Sequence, residues 1–260
     1  MYHEAMRRLI IADAHLGQRP GDRRDMTELL WRAVGAGARE VIYLGDAFQY
    51  LIGIEKLWTR DVREMLDVWD RVRAKGTRII LIEGNRDFFL DEPALKAHHD
   101  GALLTYEFNA GSIRFRLTHG DRVNHRDRQY LFWRMVSKCR MSRMAARALP
   151  RSLAVMIVQE MEARLALTNR RNRYRKPVEA LVAEAHRAWD EGIGVMAWGH
   201  FHSPWRCDRN GHVALVVPAW LETGLSLLVE PSGAWQLVEN TLTPPPEPLK
   251  MDRCSACGDS

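Results

Sequence analysis

The sequence predicts an α/β fold built around a parallel sheet, and two observations carry this prediction. Through the first 82 residues, short apolar runs alternate with segments of helical spacing in the order strand, helix, strand, helix, strand. This alternation is typical of parallel strands joined by right-handed helical crossovers. From Leu103 onward the apolar runs become shorter and follow one another directly, which indicates further β-structure.

The elements of the first half are predicted from their spacing. Strands are short apolar runs that end at polar or glycine residues, and helices repeat apolar residues every three or four positions. The predicted elements are a strand over 8–12, a helix over 22–38, a strand over 40–44, a helix over 55–75 and a strand over 78–82.

The second half is predicted to hold a second sheet and a helical insertion. Its β runs cover 103–108, 113–117, 193–198, 213–217, 225–229 and 234–238, and we expect the last three to complete the second sheet. One domain over 1–242 therefore contains a helical insertion at 124–177, called the lid insertion below. The Pro-rich segment 243–260 is predicted to be a mobile tail.

Composition restricts the class of protein. The chain has 260 residues, of which 46% are hydrophobic and 27% charged, and these values are typical of soluble globular proteins. Four cysteines are too few for a secreted disulfide framework. The N-terminal apolar run is too short for a signal peptide, and no window reaches the roughly 18–20 apolar residues of a spanning helix. We expect a soluble, cytoplasmic protein.

Positive charge is concentrated in the lid insertion. Between Arg122 and Lys176 there are 15 Lys or Arg and three acids, a net charge of +12, whereas the rest of the chain carries −7. Apolar residues lie between these charges, and Pro150 suits the first position of a helix. Two or three amphipathic helices are therefore expected. They form either a bundle with a solvated basic face or a lid that holds a lipid chain against an anionic membrane.

Metal-ligand residues follow five of the predicted strands. Carboxylate, imidazole and amide oxygen suit manganese, iron or zinc, and such ligands gather at the carboxyl ends of strands in α/β sheets. In Asp13-x-His15 and His200-x-His202, alternate residues of an extended segment point to the same side. The five segments are Asp13-Ala14-His15, Gly45-Asp46, Gly84-Asn85-Arg86-Asp87, His119-Gly120-Asp121 and Gly199-His200-Phe201-His202.

This motif set resembles the calcineurin-like metallophosphoesterases. The resemblance spans positions 13–202 and implies a four-layer α/β/β/α sandwich that binds two divalent metal ions. It places Asp13, His15 and His202 on one ion, and Asn85, His119 and His200 on the other, with Asp46 bridging both. It further implies in-line attack on a phosphoester or phosphoanhydride by a metal-bridging hydroxide. We expect Mn(II), with Fe(II) and Zn(II) as alternatives.

Arg86 favours a diphosphate substrate. Many relatives carry His after Gly-Asn, where it can protonate an alkoxide leaving group. Arginine keeps its proton at neutral pH and can instead clamp a phosphate through two hydrogen bonds. Reaction without a general acid suits a leaving group that is already acidic, such as a phosphate. The candidate catalytic residues are Arg86, Asn85 and His119.

A closer resemblance, to the UDP-2,3-diacylglucosamine diphosphatases of lipid A synthesis, rests on LGDAFQYLIG, GNRDFFL and the HGD segment. It implies cleavage to UMP and 2,3-diacylglucosamine 1-phosphate, with acyl chains held by the lid insertion. This chain departs from the usual pattern at Ala47, Gln49, Ile54 and Ser203. The candidate substrate-binding residues are Arg86, Asp127, Tyr130, Arg134, Asn169, Arg170, Arg171, Asn172, Arg173 and Lys176.

Three alternatives remain at this point: action on another nucleotide or lipid-linked phosphodiester, a nuclease, and a scaffold without activity. The basic segment contains long aliphatic and Met residues more than stacking aromatics, and Arg86 replaces the usual His, which together disfavour a nuclease. A scaffold is disfavoured because all seven candidate ligands are present.

The expected partners are a lipid-linked nucleotide and an anionic membrane surface, with no nucleic acid and no obligate protein partner. The protein is then expected at the cytoplasmic face of the inner membrane. The pair Cys254-x-x-Cys257 is interpreted as incidental.

Overall fold

A computed structural model of the chain describes residues 6–125, 127–156, 160, 176–240 and 252–253. Its first sheet has six strands in the order β13-β12-β1-β2-β4-β6. Strands β1, β2, β4 and β6 are parallel neighbours. Strand β12 pairs antiparallel with β1, and β13 pairs antiparallel with β12. The strands are β1 (Arg7–Ile11), β2 (Ala38–Tyr43), β4 (Arg78–Ile82), β6 (Gly101–Leu103), β12 (Leu225–Val229) and β13 (Trp235–Glu239).

The second sheet has the order β14-β10-β11-β9-β8-β7, and β9 pairs in parallel with both β8 and β11. A further pair joins β3 (Leu51–Ile52) to β5 (Asp87–Phe88). The strands of the second sheet are β7 (Thr105–Ala110), β8 (Ile113–Thr118), β9 (Val195–Trp198), β10 (Trp205–Arg209), β11 (His212–Val216) and β14 (Asp252–Arg253).

One part of the predicted topology is wrong. The runs at 225–229 and 234–238 were expected to complete the second sheet, but as β12 and β13 they extend the first one. The cause is the antiparallel pairing of Leu9 with Leu228 and its neighbours, which no local pattern specifies. Strand β10, which lies between β14 and β11 in the second sheet, was not predicted.

The two helices predicted in the first half lie where the periodicity placed them, with one interruption. α1 (Asp22–Gly35) and α2 (Arg60–Arg73) cross between parallel strands. The predicted helix over 55–75 is divided because Thr59 begins α2 as its N-cap, its side chain accepting a hydrogen bond from the backbone N–H of Val62 at 3.2 Å. A 3₁₀ turn (Glu55–Leu57) precedes it.

Three apolar cores define the layer order. Alternate residues along β1 separate cleanly: Leu9 and Ile11 pack with α1 and α2, while Ile10 packs between the two sheets. This alternation follows from the two-residue period of a strand. A third core joins the outer face of the second sheet to the helix α6 (Val178–Asp190). The predicted four-layer α/β/β/α sandwich is therefore confirmed.

The lid insertion is helical where it is described. It contains α4 (Arg128–Ser137), α5 (Arg140–Ala148) and helical residues at 151–156. A short helix α3 (Pro93–Lys96) precedes it in the chain, and α7 (Trp220–Thr223) follows β11. No helix among the described residues is long and apolar enough to cross a membrane.

The predicted tail lies outside the described residues except for β14, which pairs in parallel with the start of β10. Cys207 on β10 takes part in a disulfide, whereas Cys139 is a free cysteine. Cys254 and Cys257 lie outside the described residues.

Candidate metal centre

The predicted ligand residues meet at one edge of the sandwich. Backbone hydrogen bonds join the loop after β1 to the loop after β2: the N–H of Asp13 donates to the carbonyl of Gly45 at 3.3 Å, and the N–H of His15 donates to that of Asp46 at 2.9 Å. The N–H of His200, after β9, donates to Asp13 Oδ2 at 2.7 Å. Ligands from both sheets are thereby brought to a common point.

One half of this centre contains Asp13, His15 and His202. Asp13 Oδ1 lies 3.9 Å from His15 Nε2 and 3.7 Å from His202 Nε2. The two imidazole rings are stacked, with centroids 5.3 Å apart. All three side chains are buried, and their ligand atoms lie within 4.8 Å of one another.

The other half contains Asn85, His119 and His200. The amide oxygen of Asn85 lies 3.1 Å from His119 Nε2 and 3.0 Å from His200 Nδ1. The ring of His119 is fixed from its far side, where Nδ1 faces the carbonyl of Leu44 at 2.9 Å. Three donor groups of the types predicted from sequence, one amide and two imidazoles, therefore converge.

Asp46 lies between the two halves. Its Oδ2 is 3.9 Å from His15 Nε2, and its Oδ1 is 3.7 Å from His119 Nε2. Each carboxylate oxygen thus faces one group of ligands, which is the orientation expected of a bridging residue. Asp13 is also close to both groups, since Asp13, Asp46 and His119 form a second cluster within 4.8 Å.

The backbone is strained at these positions. Five of the candidate ligands have positive φ angles of 42–66°, a region that non-glycine residues seldom occupy. Such strain persists only where surrounding structure enforces it, and it concentrates at functional sites. The five residues are Asp13, His15, Asp46, His200 and His202.

Two glycines make room for the ligands. A Cβ on Gly45, whose φ is 83°, would collide with the ring of His119, and a Cβ on Gly84 would collide with the carboxylate of Asp46. The glycines noted in the motifs are therefore required by close approach of side chains to the backbone.

The donor set fits divalent cations. Asp13 is fully buried, and its Oδ1 has no hydrogen-bond partner among the described residues, although a buried carboxylate oxygen normally has one. Burial raises the pKa of Asp13. Burial lowers the pKa of His119, but Asp46 and Asp13 outweigh it and raise that pKa to about 9. Concentrated negative charge that draws a proton onto His119 can equally be neutralised by bound cations.

Asp87 supports the bridging residue and was not among the candidate site residues. Its Oδ2 accepts hydrogen bonds from the backbone N–H of Asp46 at 3.0 Å and of Gly84 at 2.8 Å. Burial, together with the nearby Asp46 carboxylate, raises the pKa of Asp87 to about 7. The available sequence signal for Asp87 was its place at the end of the Gly-Asn-Arg-Asp segment.

Arg86 lies beside the bridging carboxylate. Its Nε is 3.7 Å from Asp46 Oδ2, and its guanidinium lies over the ring of Tyr50, 5.3 Å from the centroid. The side chain is 7% exposed. Its Nη1 donates to Tyr50 Oη at 3.4 Å, so the guanidinium is held at the edge of the metal centre.

Two predicted substrate-binding residues contact the ligand loops instead of an open surface. Asp121 Oδ2 accepts hydrogen bonds from Tyr130 Oη at 2.5 Å and from Arg134 Nε at 2.8 Å. Arg134 also pairs with Glu83 at 2.9 Å, and Lys138 pairs with the same carboxylate at 2.7 Å. These contacts attach α4 to the segments that carry Asn85 and His119.

The other substrate-binding candidates either contact protein groups or lie outside the described residues. Asp127 caps α4, its Oδ1 accepting a hydrogen bond from the N–H of Tyr130 at 3.0 Å. Lys176 donates to Ser203 Oγ at 2.8 Å. The remaining candidates, Asn169, Arg170, Arg171, Asn172 and Arg173, lie outside the described residues.

An apolar cavity of about 430 Å³ lies between the lid insertion and the β3–β5 pair. Phe88 and Phe89, two and three positions after Arg86 in the chain, line one side. Trp133 and Ala146, from α4 and α5, line the other. Because Tyr50 contacts both Arg86 and this cavity, the cavity adjoins the metal centre.

Comparisons with known proteins agree with the motifs. No model of a known protein family matches the chain. A protein of Ralstonia nicotianae named UDP-2,3-diacylglucosamine hydrolase is 28% identical over 221 residues, covering 81% of this chain and 82% of that protein. Proteins of the same name from Neisseria gonorrhoeae and Aeromonas salmonicida are each 27% identical to this chain. The two matches cover 86% and 91% of this chain, respectively, and 94% of each relative. The resemblance stated from the motifs is therefore confirmed.

Among solved structures, a dimetal phosphatase from Danio rerio aligns over 91% of this chain and 99% of its own, with a TM-score of 0.44 and 13% identity. The layer order and the three cores described above establish the fold independently of this alignment.

Proposed function

We propose that this protein is a metal-dependent hydrolase that cleaves the pyrophosphate bond of UDP-2,3-diacylglucosamine, releasing UMP and 2,3-diacylglucosamine 1-phosphate. One observation carries the proposal: two ligand groups joined by Asp46 adjoin an apolar cavity large enough for part of an acyl chain. The substrate named for the relatives combines a diphosphate with acyl chains, so it matches both features.

The ligand set supports two divalent ions. Asp13, His15 and His202 would hold one ion and Asn85, His119 and His200 the other, with Asp46 contributing one oxygen to each. Bound there, such ions would acidify a water molecule and neutralise phosphate charge. Mn(II) suits this mixture of carboxylate, amide and imidazole donors, with Fe(II) and Zn(II) as alternatives.

Arg86 would bind the diphosphate. Its buried guanidinium beside Asp46 can donate two hydrogen bonds to phosphate oxygens, an arrangement that is stronger than a neutral contact. It cannot serve as a general acid. A phosphate leaving group needs no protonation at neutral pH, so the geometry suits phosphoanhydride cleavage better than cleavage of a sugar or serine phosphomonoester.

The lid insertion would bind the lipid part of the substrate. Phe132 and Val136 line the apolar cavity and are also 63% and 45% exposed, so the cavity opens toward the outer face of α4. On the neighbouring helix α5, Met141 and Met144 are 80% and 67% exposed. Exposed apolar side chains on a basic helical surface are typical of segments that lie in a membrane interface. We therefore propose peripheral attachment to the cytoplasmic face of the inner membrane.

The test is incubation of the Mn-loaded protein with UDP-2,3-diacylglucosamine, followed by detection of UMP. A generic phosphodiester and a single-stranded oligonucleotide are assayed in parallel. We expect UMP from the lipid substrate and slow turnover of the others. Preferred cleavage of the oligonucleotide would favour the nuclease alternative, and inactivity toward every substrate in metal-loaded protein would favour a scaffold.

A further inference from the structure

Glu222 lies directly behind one of the metal ligands. Its Oε1 is 2.9 Å from Nδ1 of His202, on the side of the ring opposite the ligand cluster. His202 Nε2 faces inward, 3.7 Å from Asp13 Oδ1. The imidazole of His202 therefore lies between two carboxylates, one inside the metal centre and one outside it.

The position of Glu222 is set by the strand that supplies Asp13. Ala219 forms a parallel bridge with Ala12, and the N–H of Trp220 donates to the carbonyl of Ala12 at 2.8 Å. Glu222 follows within the short helix α7, and its own N–H closes a turn onto the carbonyl of Ala219 at 3.2 Å. A rigid backbone connection therefore joins Glu222 to the residue next to Asp13.

This contact fixes the tautomer of His202. The carboxylate of Glu222 accepts a hydrogen bond, so the proton of a neutral imidazole is placed on Nδ1 and the lone pair on Nε2, where a metal ion would be held. His202 is 5% exposed and has a φ of 54°. The contact therefore holds the orientation of a ring that would ligate a metal ion, and an anionic partner strengthens such a ligand as an electron-pair donor to the metal.

In the other half of the centre, no hydrogen bond among the described residues joins a carboxylate to the outer nitrogen of His119. The outer nitrogen of His119, Nδ1, faces the backbone carbonyl of Leu44, whereas the Nδ1 of His200 points inward at the amide oxygen of Asn85. Of these two outer nitrogens, that of His202 contacts a carboxylate side chain and that of His119 contacts a neutral carbonyl. The two ligand groups therefore differ in the electrostatic support they receive.

From this asymmetry we propose that Glu222 is a positioning residue that strengthens binding of the ion held by Asp13, His15 and His202 relative to the other ion. The inference rests on the two-metal site of the proposed function. It concerns a residue that lies 20 positions beyond His202 and belongs to none of the ligand motifs. Removing a carboxylate that supports a ligating histidine typically lowers metal affinity about 10- to 100-fold.

The experiment titrates Mn²⁺ into the full-length, metal-free protein and counts bound ions by calorimetry and by the EPR signal of free Mn²⁺. Wild type is compared with Glu222→Gln, which preserves shape, and with Glu222→Asp, which preserves charge. Glu230→Gln is the matched control, because Glu230 is a surface carboxylate paired with Arg7 at 2.9 Å, away from the ligands.

We expect two Mn²⁺ sites in wild type, with the affinity of the tighter one reduced about 10- to 100-fold by Glu222→Gln and the other changed less than about threefold. Glu222→Asp should recover part of the loss, and Glu230→Gln should bind like wild type. Equal weakening of both sites, or no change at either, would overturn the role of Glu222. Absence of paired Mn²⁺ sites in wild type would instead contradict the proposed function.

Thermal unfolding of the metal-free proteins separates positioning from a merely structural role. A positioning residue leaves the unfolding temperature of metal-free Glu222→Gln within about 2 °C of wild type, while the stabilisation gained on adding Mn²⁺ becomes smaller, since ligand binding stabilises the folded state in proportion to its affinity. An equally large destabilisation with and without Mn²⁺ would show that Glu222 only supports the fold.

Discussion

The side chain of Asp46 is contacted by Arg86 from two directions. The backbone N–H of Arg86 donates to Asp46 Oδ1 at 2.9 Å, and the guanidinium Nε of Arg86 lies 3.7 Å from Asp46 Oδ2. The residue expected to bridge two ions and the residue expected to bind the substrate phosphate are therefore held in fixed relation. Displacing either side chain should disturb the orientation of the other.

Replacement of Arg86 by alanine should lower kcat on a lipid-linked diphosphate by about 100-fold or more, because a charge-assisted contact to the reacting phosphate is lost. Arg86→Lys should recover only part of this activity, since an ammonium group cannot form the planar two-point contact. Arg86→His should not produce an efficient phosphomonoesterase. Steady-state kinetics on both substrate types provide the measurement, and unchanged kinetics in the alanine variant would refute the clamp.

Removal of metal should abolish activity, and Mn²⁺ should restore it best. Asp46→Ala should lower kcat by about 1,000-fold or more, because both ligand groups lose a shared oxygen donor. The measurement is activity after chelation and after addition of each metal, with circular dichroism to verify folding of the variant. Activity of Asp46→Ala within tenfold of wild type would contradict a bridging role.

Filling the apolar cavity should weaken binding of the lipid substrate selectively. Ala146→Trp places a ring where an acyl chain is expected, and each methylene kept from burial costs about 0.8 kcal/mol. Excluding about three methylenes should raise KM for the lipid substrate about 60-fold. Turnover of a small soluble diester should stay within about twofold.

Ala148→Trp is the control for this change, because Ala148 is an exposed residue on the same helix and does not line the cavity. The kinetic curves of the two variants should therefore diverge only on the lipid substrate. If both variants or both substrates are affected alike, the cavity has no role in binding the acyl chain.

Replacing the exposed methionines of α5 should weaken membrane attachment. The double variant Met141→Glu and Met144→Glu removes apolar contacts and adds two negative charges near an anionic surface, at a cost of about 1 kcal/mol for each charge. Cosedimentation with vesicles containing anionic lipid should fall at least tenfold. Leu103→Glu with Leu104→Glu, an exposed pair outside the lid insertion, is the charge-matched control. Equal losses in the two double variants would indicate a nonspecific charge effect.

A buried ion pair far from the metal ligands should contribute more to the free energy of unfolding than the half-exposed pair beside it. Arg8 Nε lies 2.7 Å from Glu40 Oε2, and both side chains are nearly inaccessible. Arg8→Met removes the buried cation from this carboxylate and should lower the free energy of unfolding by about 3 kcal/mol. Arg7→Met removes the adjacent, half-exposed pair with Glu230 and should cost no more than about 1 kcal/mol. Urea unfolding measures both, and equal effects would contradict the assignment.

The sequence by itself predicted which residues meet in the candidate metal centre. Asp13, Asp46, Asn85, His119 and the His200–His202 pair each follow an apolar run, and parallel strands place their carboxyl ends on one edge. Residue chemistry and strand order are both local properties of the chain, so a single sequence was sufficient. The helical character of the lid insertion was predictable for the same reason.

The tertiary structure alone decided how those residues and their supports are arranged. Strand β12 joins the first sheet through an antiparallel contact with β1, made between segments more than 200 residues apart. The same long-range closure brings Glu222 behind His202, and docking of α4 directs Tyr130 and Arg134 onto Asp121. Local patterns do not encode such contacts, because their free energy arises only when distant segments pack and bury shared polar groups.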